Sequence, residues 1–481
     1  MAGADAPPPD AVALPHLTDD SRAVRPGSAF VAISGAEADG HRFIPQAIDA
    51  GAPLVVCERP PEQLEQQFPE VCFLVVDDTR RAVADLASLV YGAPSDDLTM
   101  LGVTGTNGKT TVAYLLHHLL QTLGETTGLL STIDVRIGTE STDAALTTPG
   151  PIALQSTLRD MADAACTACA MEVSSHALDQ HRVRGIAYDV ALFTNLTVDH
   201  LDYHGTFDAY RDAKKRLFDG LCPGATAILN ADDSSWAALS ATTDADLCTY
   251  ALETDATIQG TLLDNALSGL CLSIDGRERT FRLAGTFNAY NLLAAYAAGR
   301  ALGYDASAVL DALADAPPVP GRFETVALPD GPTVVVDYAH TPDALENILT
   351  ALRATAAPDA RLWCVFGCGG DRDTSKRPTM GRIAESNADR VIVTSDNPRT
   401  EDPAAILRDI RAGFHQPEAA QWIVDRRSAI EAALLDATPS DVVLIAGKGH
   451  ETYQIIGTTQ HPFDDRAVVR ATANVARSPS S

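Results

Sequence analysis

The sequence predicts an α/β protein built on mainly parallel sheets and divided into three domains. Two observations lead there: short apolar runs alternate with helical stretches along most of the chain, and two proline- and glycine-rich breaks interrupt that alternation. The expected strands are FVAI at 30–33, LVVC at 54–57, FLVV at 73–76, TMLGVT at 99–104, TVVVDY at 333–338, LWCVFG at 362–367, RVIVTS at 390–395 and DVVLIAG at 441–447. The breaks are GAPSDD at 92–97 and APPVPGR at 316–322. Domains are therefore expected at 1–96, 97–319 and 320–481, with the tail ANVARSPSS frayed and no internal repeat.

At 481 residues and 46% hydrophobic content the chain is too long for one core and has enough apolar side chains to fill several. A net charge of -28 argues against a nucleic-acid partner, because a phosphate backbone needs a basic footprint. Any phosphate must be met locally, and only five of the 36 basic residues are lysines: Lys109, Lys214, Lys215, Lys376 and Lys448. The first thirty residues have no basic segment followed by an apolar one, and no run of 18 apolar residues occurs, so neither export nor membrane insertion is expected. Nine scattered cysteines suggest reduced thiols, and a cytoplasmic monomer is the expectation. The pair Cys166 and Cys169 has no second pair or histidine at zinc spacing and reads as structural.

The segment TMLGVTGTNGKTTVAYLLHHLLQTLG reads as a strand, a glycine-rich turn and a helix with Val112, Leu115, Leu116, Leu119 and Leu120 on one face. That order forms a phosphate cradle. Gly105 and Gly108 let backbone N–H groups approach phosphate oxygens, and the helix N-terminus adds its dipole. Lys109 brings a charge to the β- and γ-phosphates of ATP, and Thr110 offers a hydroxyl to Mg²⁺. Thr106, Asn107 and Thr111 complete the loop, which departs from the strict pattern in having Val103 at its first glycine position.

Three other residues have metal or amine chemistry in view. Glu172 lies where a strand meets its loop, a place for a Mg²⁺ ligand or for a solvated carboxylate. His200, with Asp199, Asp202 and His204 nearby, reads either as a ligand or as a loop histidine bonded to backbone. In AYRDAKKRLF, helical spacing places Lys214 with Tyr210, Leu217 and Phe218 and leaves Lys215 with Arg211 on the polar side. An inward lysine has a lowered pKa and can capture CO₂, although it can also serve only as an apolar stem.

Taken together, GTNGKTT (105–111), MEVSSHAL (171–178), NLTVDHLDYHG (195–205), DYAHTPDAL (337–345), GCGGDRD (367–373), DNPR (396–399) and GKGHE (447–451) resemble the Mur ligase family, most closely its diaminopimelate-adding members. The resemblance covers nearly the whole chain, from DSR at 20–22 onward. It implies a UDP-sugar-binding first domain, a central P-loop ATPase-like domain with helices on both faces of its sheet, and a Rossmann-like third domain that binds an amino acid. It implies an ATP-dependent ligase adding meso-2,6-diaminopimelate to UDP-N-acetylmuramoyl-L-alanyl-D-glutamate through an acyl phosphate. A lysine-adding relative or a folylpolyglutamate synthetase-like ligase is the alternative.

The resemblance also implies roles for single residues. It makes His200 and Glu172 metal ligands with Thr110, and it makes Lys214 a carbamate that helps to hold a second Mg²⁺. Asn288 and Asn291 match the adenine-contacting motif, and Arg322 and Asp337 match residues that reach ATP from the third domain. The muramoyl-dipeptide falls to Ser21, Ala36, Glu37, Ala38, Thr147, Thr148, Ser174, Gln180 and Arg182. Diaminopimelate falls to Arg372, Asp396, Asn397, Pro398, Arg399, Gly447 and Glu451. On chemistry alone Arg399 carries most of this set, because a planar guanidinium suits the second carboxylate that separates diaminopimelate from lysine.

Overall fold

The computed structural model describes residues 16–35, 38–59, 62–326, 328–329 and 331–476. Three large sheets follow one another along the chain. The first has four parallel strands in chain order: Leu17–Thr18, Ala29–Val31, Leu54–Cys57 and Cys72–Val75. The expected strands at 30–33, 54–57 and 73–76 are these last three, displaced by at most two residues at an end.

The second sheet has eleven strands, and the phosphate-loop strand Thr99–Thr104 lies near its middle between Val190–Phe193 and Ala168–Glu172, parallel to both. Chain connections run to opposite sides of Thr99–Thr104, so its carboxyl end opens into the crevice where α/β sheets hold ligands. Strand periodicity sets the two cores. Leu101 and Val103 pack under the helices Lys109–Thr122 and Thr286–Ala301. Met100 faces the other layer, with the helices Pro151–Asp163 and Phe207–Asp219. Gly102 is needed on that second face, since a Cβ there would stand 2.7 Å from the Tyr188 ring.

Both ends of this sheet are antiparallel. Asp134–Ile137 and Glu140–Asp143 extend one edge, while Ile258–Ala266, Gly269–Ile274 and Arg277–Phe281 form a meander at the other. None of these was among the expected strands. Their burial is one-sided or absent, with Glu140–Asp143 exposed throughout, so no continuous apolar run marks them.

The third sheet runs Glu324–Val326, Thr333–Asp337, Val442–Ala446, Leu362–Phe366, Arg390–Val393 and Gln421–Trp422, parallel except for its first strand. Four expected strands recur here within two residues. The motifs DYAHTPDAL, GCGGDRD, DNPR and GKGHE each follow one of its four central strands, so one carboxyl edge carries all four. A small hairpin, Tyr453–Ile456 with Thr459–Pro462, stands beside that edge.

The helix Asp465–Ala476 closes the third domain and takes in the first residues of ANVARSPSS, which was expected to fray; 477–481 lie outside the described residues. It is anchored by a wholly buried ion pair, Arg426 with Asp465, at 2.7 and 2.8 Å. Arg426 also donates to the carbonyls of Ser395 and Ala446, which satisfies much of its fork. No helix among the described residues is long and apolar enough to cross a membrane. All nine cysteines are free, and Cys166 and Cys169 are buried in the core.

Asp465→Ala leaves Arg426 charged and unpaired in the interior and is expected to destabilise the third domain by about 3–5 kcal/mol. Replacing both partners by apolar residues, as in Arg426→Met with Asp465→Leu, is expected to cost less. Thermal unfolding of the three proteins checks the ordering.

Candidate functional site

The phosphate loop is held by a dense set of backbone and side-chain bonds. Asn107 donates its N–H to Asn195 Oδ1, and its carbonyl accepts from Thr194 Oγ1 and Asn195 Nδ2. Thr106 Oγ1 accepts from Thr197 N–H and stands 3.1 Å from the Tyr210 hydroxyl. Gly105 at φ +150° and Gly108 at φ +87° need to lack a Cβ, which would fall 1.9 Å from Thr194 Oγ1 and 2.5 Å from Asn291 Oδ1. Thr111 is buried in the first turn of the helix that follows.

Two lysine amines meet at this loop. Lys109 Nζ donates to the carbonyls of Gly105 and Thr106 at 2.9 and 2.8 Å, and Lys214 Nζ donates to Gly105 O at 2.7 Å. Lys214 lies on the buried face of its helix with Tyr210, Leu217 and Phe218, as spacing predicts, and its amine stands over the Tyr210 ring. Lys215 points outward to Asp219 and Thr242. Burial, and then the Lys109 charge, hold Lys214 well below the usual lysine range. Lys109 is lowered by burial, against the opposing pull of Glu172 and Asp199.

Glu172 ends its strand fully buried at 1% exposure. Its carboxylate accepts from Thr132 N–H at 2.7 Å and Thr132 Oγ1 at 3.2 Å, and no ion pair is made to it among the described residues. His200 sits in the left-handed region at φ 54°, its ring 4.8 Å from that of His176. Burial pushes its imidazole down to about 4, despite the nearby Asp199, so the ring is neutral at neutral pH. Among the described residues no three His, Cys, Asp or Glu side chains stand close enough to hold a metal by themselves. A cation here would need the Thr110 hydroxyl, phosphate oxygens or water as well, the usual arrangement for Mg²⁺.

The third domain reaches the loop through two residues. Arg322 Nη2 donates to Thr110 Oγ1 at 3.0 Å and the guanidinium lies over the Tyr338 ring, while its buried Nε has no partner among the described residues. Asp343 accepts from Asn107 Nδ2 at 2.7 Å. Asp337 is less available, because its two carboxylate oxygens accept from Phe323 and Ala339 N–H. Asn288 and Asn291 are buried and bonded to each other beside Gly108.

Around Glu172, the hydroxyls of Thr132 and Thr147 stand 3.1 Å apart, and Thr148 Oγ1 bridges Glu172 O and Ser174 N–H. Arg182 donates to Thr148 O and to Gln180 Oε1, so hydrogen bonds link Thr148, Ser174, Gln180 and Arg182. Ser174 Oγ caps the helix Ser175–Asp179 by accepting from Ala177 N–H. Ser21 and Ala38 are on the first domain, where Ser21 donates to Gln46 and Ala38 O accepts from Gly35 N–H. Ala36 and Glu37 lie outside the described residues.

At the edge of the third sheet Lys448 is fully buried and donates to Asn397 Oδ1 at 3.0 Å and Glu451 Oε2 at 2.7 Å. Asn397 Nδ2 donates to the same Glu451 oxygen, and Asn397 Oδ1 also accepts from Ile455 N–H, so this asparagine joins two loops. Asp396 Oδ2 is buried without a hydrogen-bond partner among the described residues and stands 2.4 Å from where a Gly447 Cβ would lie. Pro398 O lies 1.9 Å from where a Gly370 Cβ would be, packing DNPR against GCGGDRD. Arg372 is exposed and, among the described residues, donates only to Asp371 O.

Arg399 adopts φ 51° and donates from Nη1 to Gly370 O at 2.8 Å, with no ion pair among the described residues. Its backbone is bonded on both sides to the hairpin, N–H to Ile455 O and C=O from Gly457 N–H. Arg377, 1% exposed, ties the two loops from below through Glu401, Asp409 and Gly369 O. Sequence reasoning missed Thr132, Asp343, Arg377 and Lys448 as parts of this site. Of these only Asp343 and Lys448 fall inside quoted motifs, and neither spacing nor composition marks the other two.

The chain matches three family models: "Mur ligase family, catalytic domain" over residues 15–91, "Mur ligase middle domain" over 103–299, and "Mur ligase, glutamate ligase domain" over 321–449. It is 45% identical over 463 residues to a UDP-N-acetylmuramoyl-L-alanyl-D-glutamate–2,6-diaminopimelate ligase of Parabacteroides distasonis, covering 96% of this chain and 95% of that one. The protein of the same name from Synechococcus elongatus is 47% identical over 471 residues, 95% and 94% of the two chains. A solved structure under that name, 34% identical, aligns with a TM-score of 0.69 over 96% of this chain and 95% of that one.

A left-handed backbone at a residue other than glycine costs about 1–2 kcal/mol, so Arg399 is held in a conformation that glycine would adopt more easily. Arg399→Gly is therefore expected to be at least as stable as Arg399→Ala, the reverse of the usual order. Their melting temperatures, measured side by side, test this.

Proposed function

Because the chain belongs to the Mur ligase family, an ATP-dependent group of amide-forming enzymes, we propose that it joins meso-2,6-diaminopimelate to the glutamyl carboxylate of UDP-N-acetylmuramoyl-L-alanyl-D-glutamate in peptidoglycan synthesis. The observation that carries the choice of amino acid is Arg399. Its fork makes one hydrogen bond and no ion pair among the described residues, in a chain of net charge -28 where carboxylates are plentiful. A second carboxylate on the incoming amino acid supplies the missing partner. Lysine has none, and the names of the relatives favour the same choice over a lysine-adding or folylpolyglutamate-type ligase.

In this reading the division at 1–96, 97–319 and 320–481 separates UDP-sugar, ATP and amino-acid binding. The phosphate loop and Lys109 hold the β- and γ-phosphates, with Asn288 and Asn291 toward the adenine. Arg322 turns from Thr110 to the phosphates. Ser21, the 36–38 turn, Thr147, Thr148, Ser174, Gln180 and Arg182 hold the UDP-muramoyl-dipeptide. The glutamyl carboxylate takes the γ-phosphoryl group, giving ADP and an acyl phosphate. The diaminopimelate amine then attacks the acyl carbon and phosphate leaves. Glu451, Asn397 and Arg372 line the amino-acid end with Asp396, Pro398 and Gly447.

Glu172, Thr110 and His200 fit Mg²⁺: the carboxylate is buried without a cationic partner among the described residues, the hydroxyl accepts from the Arg322 fork and is freed when that cation turns to phosphate, and the imidazole is neutral. When bound, Mg²⁺ neutralises charge on the transferring phosphoryl group. Lys214, buried and depressed, has the properties of an amine that captures CO₂, and its carbamate would add oxygen ligands. The enzyme is read as a cytoplasmic monomer without a nucleic-acid partner.

ATP hydrolysis that depends on UDP-muramoyl-dipeptide and on an amino acid tests the reaction class. For the amino acid, kcat/KM is expected to favour meso-diaminopimelate strongly over L-lysine. Arg399→Ala should erase most of that preference, a loss on the order of 2–5 kcal/mol, while ATP binding is little changed. A native preference for L-lysine would sink the assignment. Lys214→Ala is expected to lose about 10² or more in kcat and to regain part of it with added short carboxylates; full activity without them would exclude a carbamate.

A further inference from the structure

One carboxylate crosses from the third domain to the phosphate loop without belonging to either substrate's binding set. Asp343 lies in the first turn of the helix Pro342–Thr355, behind the Thr341 cap. Its Oδ2 accepts three hydrogen bonds: from Asn107 Nδ2 at 2.7 Å, from Thr197 Oγ1 at 2.9 Å and from Asn347 Nδ2 at 3.1 Å. The first two donors belong to the central domain. Asn107 is the middle of the phosphate loop, and Thr197 is in the adjoining loop whose N–H bonds Thr106 Oγ1.

We propose that Asp343 is a positioning residue that sets the side chain of Asn107, and with it the phosphate loop, from outside the loop's own domain. The backbone of Asn107 is already fixed by Thr194 and Asn195, and among the described residues the side chain is fixed only by Asp343. The other direct link to the loop, Arg322 to Thr110 Oγ1, is made by a cation that incoming phosphates attract away. Asp343 is an anion whose Oδ2 is taken up by three neutral donors, so phosphate gives it no reason to leave. The two links differ in kind: one is handed to the nucleotide and the other stays.

The charge is essential to the argument. A single oxygen accepting three donors suits an ionised carboxylate, whereas an amide offers either a weaker neutral carbonyl or an N–H₂ facing donors. Asp343→Asn is nearly the same size yet should behave like Asp343→Ala. Helix capping alone would predict otherwise, because an acid in a first turn contributes only modest stability.

The inference rests on reading the loop as an ATP site. Its test uses the full-length protein with Mg·ATP as the probe, and measures affinity by calorimetry together with kcat and KM for each substrate. In Asp343→Asn and Asp343→Ala, ATP affinity and kcat/KM for ATP are expected to fall about tenfold or more, the effect of unmaking charge-assisted bonds. KM for the UDP-substrate and for the amino acid, and the melting temperature, should move little. Asn347→Ala breaks only the bond inside the third domain and should leave ATP affinity unchanged. A cycle of Asn107→Ala with Asp343→Ala should be strongly non-additive. Native ATP affinity in Asp343→Asn, additive effects in the cycle, or a uniform loss across all substrates would overturn it. Failure of the diaminopimelate assignment would leave the ATP-binding arm readable.

Discussion

At the head of the phosphate loop the carbonyl oxygen of Gly105 accepts hydrogen bonds from two lysines, Lys109 and Lys214. Two buried ammonium groups so placed repel each other, and the carbonyl dipoles of Gly105 and Thr106 cannot compensate both. The pair is comfortable only if one amine is neutral or if anions arrive. Much of the surrounding architecture supplies that condition. Glu172 and Asp199 provide the standing negative field felt by Lys109, and the crevice beyond the strand ends admits phosphate. The loop is thus electrostatically incomplete in a chain that is otherwise strongly acidic, and this marks it as a place where an anionic reactant is stabilised.

That incompleteness is met by the central and third sheets, whose carboxyl ends supply the residues around the loop. The central sheet delivers the loop, Glu172 and the Thr194–Asn195 turn from three adjacent strand ends. The third sheet places four motifs on one carboxyl edge, so its loops converge without any long insertion. Arg377 and Lys448 lie beneath those loops and tie them into a unit. Buried cations with two or more partners each make such a unit resistant to piecemeal change.

Much of this was legible in the sequence, for physical reasons that differ by element. Parallel strands buried on both faces read as continuous apolar runs, so the strand at 54–57 and the strand at 99–104 coincide with the structure residue for residue. The inward turn of Lys214 followed from helical spacing alone. Antiparallel edge strands such as Glu140–Asp143 carry no such run and were invisible. Residues that act by supporting others, such as Thr132 beneath Glu172 and Arg377 beneath Gly369, are fixed by tertiary approach between distant segments, which local pattern does not encode. Asn397, expected at the amino acid, has its amide taken up by Lys448, Glu451 and Ile455.

The hairpin Tyr453–Pro462 bears on how the amino-acid choice proposed for Arg399 could be changed. Arg399 owes its backbone conformation to bonds from Ile455 and Gly457, residues more than fifty positions away in sequence, and it pairs with Ile456 in a parallel bridge. Transplanting the four-residue motif into a homologue therefore moves the side chain without the geometry that aims it. A designer seeking a different amino acid would have to exchange motif and hairpin as one cassette. Natural drift in specificity faces the same coupling, so neighbouring lineages should switch amino acid by paired changes at both segments, with few viable intermediates.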